Sequence, residues 1–182
     1  MLTAELQRSL MSVDKQTEPV SFLEMKASVG SILFLWSSVE RELAKCIEYL
    51  DDGSTKNGTH TVAQKITRWE GLQSAACAER PEHQALLREV RVHLTETLKI
   101  RNRIAHGLIG LTADPFGHHG DARLETELNG EKRSLSHTEL EQSMRVLSHL
   151  IWAIGSLSEA AIQKDLRRAE KTYAGIRLNN LP

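Results

Sequence analysis

Residues 19–50 read PVSFLEMKASVGSILFLWSSVERELAKCIEYL. Apolar side chains recur at Phe22, Met25, Val29, Ile32, Trp36, Val39, Leu43, Ile47 and Leu50. Steps of three and four keep them on one face at the helical period. The stretch is therefore expected to be one long amphipathic helix from about Pro19 to Leu50. A proline is tolerated in a first turn, because its missing N–H would have no partner there. Asp51-Asp-Gly-Ser-Thr-Lys-Asn-Gly58 then supplies the turn residues that end it.

Outward from that helix the same period returns three times. Val62, Ile66, Trp69, Leu72 and Ala76 mark a second helix, from Thr59 or Thr61 to Ala78. Pro81 opens a third, with Glu82 in the first turn, where the helix dipole favours a carboxylate. Leu87, Val90, Leu94, Leu98, Arg101, Ile104 and Ala105 follow on its stripe, and Gly107 is the expected stop. Ser136-His-Thr-Glu139 has the form of a capping box, and Leu140, Met144, Leu147, Ile151, Ile154, Leu157 and Ala161 carry a last helix to about Arg168. Between them, Asp114–Gly120 reads as a loop. Residues 123–135 read as a two-stranded hairpin around Asn129-Gly130, the pair favoured where two turn residues take positive φ. The expectation is an all-α, antiparallel four-helix bundle with one small inserted β-hairpin near 123–135. Residues 1–18 form a polar arm, and 19–182 a single helical domain.

Composition agrees with helix-on-helix packing: hydrophobic residues make up 40% of the chain but aromatics only 4%, so the core is aliphatic. A net charge of −1 argues against a globally basic nucleic-acid binder, though 23 Lys and Arg leave room for a local basic groove. Cys46 and Cys77 are not in a Cys-x-x-Cys pair; no disulfide framework is suggested, and a cytoplasmic setting fits. No stretch approaches 18 uninterrupted apolar residues, so no spanning helix is expected.

One segment carries chemistry: Arg101-Asn-Arg-Ile-Ala-His106-Gly. Its spacing alone means little, since with 14 Arg and 8 His about two such pairs arise by chance. The second is Arg88-Glu-Val-Arg-Val-His93, mid-helix, whose side chains fall about 140° apart. Context separates them. Arg101 occupies a stripe position where a Leu is expected, and a buried guanidinium is costly without anionic partners. Asn102 is beside it, and His106 stands at the helix stop, where the chain can swing the imidazole back toward Arg101.

Arg101-Asn-Arg-Ile-Ala-His106 resembles the Arg-x4–6-His signature of the HEPN superfamily, including the Asn that follows its Arg. Leu33-Phe-Leu-Trp-Ser-Ser-Val-Glu-Arg-Glu-Leu43 is similar to first helices of that superfamily, in which a Glu often faces the core. The resemblance implies a metal-independent endoribonuclease, used as a toxin or in antiphage defence. It acts as a homodimer whose two Arg–His pairs line one cleft. It also implies His106 as acid and base, Arg101 as phosphate clamp and Asn102 in support, with neither cofactor nor metal. Imidazole exchanges protons near neutral pH, and a guanidinium offers two parallel donors to a phosphoryl group. Where the toxin–antitoxin branch commonly has a Tyr two residues after the His, this chain has Leu108. The alternative is a non-catalytic dimeric module binding a nucleotide or a partner protein; an antitoxin is one such partner, and no membrane is involved.

The remaining candidates are weaker. Glu40 either pairs with Arg101 or Arg103 or is a flanking surface carboxylate. Arg103 contacts phosphate or faces water, with water favoured. His118-His119, with His60 or Asp121, reads as a solvated loop before a metal site. Trp36, Trp69 and Trp152 are core or interface anchors before they are base-stacking platforms. Ser37 and Ser38 have no Gly-x-Ser-x-Gly context.

Overall fold

The computed structural model describes residues 20–51, 61–112 and 122–178, without the side chains of residues 177 and 178. Among them lie five helices: α1 Phe22–Leu50, α2 Val62–Ala76, α3 Pro81–His106, α4 His137–Ile162 and α5 Leu166–Leu178. Three strands, β1 Leu108–Thr112, β2 Arg123–Leu128 and β3 Glu131–Ser136, form an antiparallel sheet in the order β1-β2-β3. The expected arm at 1–18, the loop at 114–120 and His60, His118, His119 and Asp121 lie outside the described residues.

Local hydrogen bonds set the helix starts. Ser21, Thr61 and Ser136 each accept from the backbone N–H three residues on. Glu24, Gln64 and Glu139 each reach back to the capping residue's own N–H. These reciprocal pairs satisfy donors that a helix start otherwise leaves without partners. Pro81 occupies the first turn of α3. Asn129 and Gly130 turn the β2–β3 hairpin with φ of 55° and 78°.

Two expectations are corrected here. The sheet has three strands rather than two. Leu108-Ile-Gly-Leu-Thr112 follows the helix stop at once and pairs with β2 through a bulge near Ile109, too short a run to show a period of its own. The last helix does not run to Arg168 but breaks over residues 163–165. Arg80, 80 and 83 residues away in sequence, donates to the carbonyls of Ala160 and Gln163 at 2.8 and 2.9 Å, closing the end of α4. Asp165 Oδ1 then accepts from Arg167 N as α5 begins.

The core is built on α4, which packs most extensively against α1 and also meets α2, α3, α5 and β3. By length and composition α1 is apolar enough to cross a membrane, against expectation. One face of it, Met25, Ile32, Trp36, Val39, Leu43 and Ile47, is buried among the other elements. Trp36 and Trp69 are fully buried, whereas Trp152 is 44% exposed and is no part of the core. Cys46 and Cys77 are buried and free. Their thiols approach the carbonyls of Ile154 and Ala161, respectively, on α4.

A polar chain crosses this core. Tyr173 Oη lies 3.1 Å from His83 Nδ1, and His83 Nε2 lies 2.9 Å from Gln73 Oε1. Gln73 Nε2 and Trp69 Nε1 both donate to Ser158 Oγ, which donates to Ile154 O. Because Gln73 Oε1 can only accept, His83 carries its proton on Nε2 and accepts from Tyr173 on Nδ1. Four helices are joined, and every member has a partner.

Candidate functional site

The last turn of α3 brings the signature residues together. Arg101 Nη1 donates to Asn102 Oδ1 at 3.1 Å and lies 3.3 Å from His106 Nε2. A guanidinium only donates, so in this contact His106 presents the Nε2 lone pair. Arg101 Nη2 stands 3.9 Å from Glu40 Oε1, and the other carboxylate oxygen of Glu40 is 3.4 Å from Lys65 Nζ. Glu40 thus sits between two cations supplied by α2 and α3. All three side chains keep a quarter or so of their surface in water, which screens their attraction.

These groups line a cavity of about 530 Å³ whose walls include Glu40, Arg101, Asn102 and His106. The rest of the wall mixes polar and apolar groups: Thr61, Val62 and Ala63 at the start of α2, Leu98 from α3, and Leu128 with Asn129 from the hairpin end. Backbone contacts fix where the hairpin meets α3. Gly107 O accepts from Glu127 N at 2.6 Å. A Cβ on Gly107 would lie 2.7 Å from Glu127 O, so only glycine permits the approach.

The two neighbouring arginines exchange the fates expected of them. Arg101 is part-exposed on the cavity wall, whereas Arg103 is buried, with 7% of its surface exposed. Arg103 donates to Glu131 O at 3.1 Å and forms an ion pair with the Glu131 carboxylate. The reason is geometric. Residues two apart on a helix point about 200° apart, and the sheet covers the face of α3 that the apolar stripe leaves to solvent. Arg103 is not on the cavity wall; it holds the hairpin. The decoy pair behaves as expected, with Arg88 exposed and His93 only part-buried.

The structure thus groups Arg101, Asn102, His106 and Glu40. Lys65 escaped the sequence reading because it lies beside Ile66 on an ordinary amphipathic turn, with no spacing to mark it. Among the described residues no group of three or more His, Cys, Asp or Glu is placed to hold a metal ion. What the arrangement offers is a guanidinium, an imidazole lone pair and an amide on one wall, suited to an anion that carries a proton to be moved. No protein-family model, curated protein or solved structure matches the chain.

Proposed function

We propose that this chain is a HEPN-like endoribonuclease that cleaves RNA without a metal, as a cytoplasmic homodimer. The observation that carries the reading is the 3.3 Å approach of Arg101 Nη1 to His106 Nε2 on the wall of an open cavity. The finer fold reading goes with it: α1 to α4 form an antiparallel HEPN-like bundle, with the sheet between α3 and α4 and α5 appended. Exposed Phe34 and Trp152 are aromatic anchors of the kind that subunit interfaces bury.

RNA carries its own nucleophile beside each phosphate. His106 Nε2 takes the 2′-OH proton as that oxygen attacks phosphorus. The bond from phosphorus to the 5′-oxygen breaks, and the leaving oxygen takes a proton from the imidazolium supplied by the second copy. A cyclic phosphate and a free 5′-hydroxyl result. Arg101 exchanges Asn102 and His106 for two phosphoryl oxygens as charge builds on them. Asn102 and Glu40 hold the guanidinium ready, and Lys65 offsets the charge of Glu40. The biological setting would be a toxin or antiphage system, with an antitoxin or other protein as restraint.

The test is RNA incubated with the protein in EDTA. Cleavage persists in wild type and falls about 10²- to 10⁴-fold in His106→Ala, and about 10²- to 10³-fold in Arg101→Ala. Cleavage unmoved by either substitution, or abolished by EDTA, sinks the reading. A second reading is favoured by Glu40, which already partly neutralises Arg101: a module that binds a nucleotide without cutting it. Nucleotide binding lost in Arg101→Ala, with no cleavage by wild type, selects that reading.

A further inference from the structure

We infer that the apolar half of the Arg101–His106 cavity is a base pocket, and that Asn129 at the hairpin tip selects the base. The inference rests on the reading that the polar half receives a phosphate. At about 530 Å³ the cavity falls among sites that take whole small molecules. A phosphate on Arg101 and His106 fills only part of it. Val62, Ala63, Leu98 and Leu128 supply apolar lining as well, and nothing in phosphate chemistry calls for them. A nucleotide joins the two needs. Its phosphate is anionic, its base has apolar faces, and the edge of the base carries donors and acceptors.

Thr61 and Asn129 are the polar residues beside that apolar lining. The Thr61 hydroxyl already accepts from Gln64 N as the cap of α2, which leaves the Asn129 amide to read a base. That amide offers both a donor and an acceptor, the pattern that reads a base edge in pairs of hydrogen bonds. A reader must be held in place, and this turn is held twice. Arg103 grips Glu131 on the far side of the turn. Glu127, just before the turn, is bonded to Gly107, the residue after His106. The distance from the base reader to the phosphate end is thus set by contacts within two residues of each. A buried guanidinium is a costly way to anchor a hairpin; it makes sense where the position of the tip matters. The ligand class is a nucleoside carrying a phosphate on its 3′ side, free or within RNA.

The test titrates the full chain with the four nucleoside 3′-monophosphates and with inorganic phosphate, by calorimetry. At least one nucleotide binds about tenfold or more tightly than phosphate, and the four differ among themselves. Asn129→Gly keeps a residue suited to positive φ but removes the amide; it shrinks the spread among the four to less than about threefold, since a bidentate base contact is worth roughly tenfold or more. Leu128→Ala weakens all four. Nucleotides that bind no better than phosphate overturn the inference, and so does a spread that Asn129→Gly leaves unchanged. The outcomes separate it from the ribonuclease reading. A protein that ranks nucleotides but cuts no RNA loses only the cleavage claim. One that cuts RNA while binding all four equally loses only the base pocket.

Discussion

Arg101 and Arg103 are two residues apart and do different work. Arg103 is buried and its donors go to the Glu131 carbonyl and carboxylate. Replacing it with Ala removes charge-assisted hydrogen bonds and packed methylenes, and is expected to cost about 2–3 kcal/mol. Arg101 is part-exposed, and its neighbour Glu40 keeps a second cation in Lys65. Arg101→Ala is therefore expected to cost no more than about 1 kcal/mol. Urea unfolding of both variants checks the order, and a reversed order would make Arg101 a structural residue. The residues of the site were half legible in the sequence. The Arg, Asn and His lie within six consecutive positions, so one helix turn and its stop suffice to bring them together. Which arginine is buried was not legible, because that depends on a sheet docking from residues beyond the helix.

At the scale of elements, the start of α4 was the easiest feature to read, since the Ser136–Glu139 capping box needs only four residues. The box at Ser21 went unread, and α1 begins at Phe22 rather than at Pro19. Ser136→Ala should cost about 1 kcal/mol by leaving a donor of α4 without its acceptor, and thermal or urea unfolding measures it. Helix stops were harder. Gly107 was foreseen, but the break after Ile162 was not, because the guanidinium that closes that end belongs to Arg80, some 80 residues earlier in the chain. β1 was missed for a related reason. Its five residues form a strand because β2 is there to receive them. The Asn-Gly turn needed no such help, since two positive φ values are a property of those residues themselves.

For the whole molecule, the buried chain from Tyr173 to Ile154 ties α2, α3, α4 and α5 into one unit and makes stability depend on pH. Burial, with the nearby Arg80 charge, pushes His83 down to about 4, against roughly 6.5 in an unfolded chain. Between those values the unfolded state binds the proton and the folded state does not. Stability from this group is complete above about pH 7 and drains away as pH falls toward 4. About 2 kcal/mol should be lost between pH 7.5 and pH 5, and urea midpoints across that range test it. A flat profile would remove His83 from the buried chain. The two cysteines give the same core a clock. Burial pushes the Cys46 thiol up to about 11 and raises Cys77 as well. Only a thiolate reacts with a thiol reagent, so each sulfur reacts slowly while it stays packed against α4. Cys46 lies on the seam with α1 and Cys77 on the seam with the end of α2. Their rates of labelling in the native protein therefore time the opening of two seams separately. Equal rates would mean that the helices part together, and unequal ones would show which side breathes first.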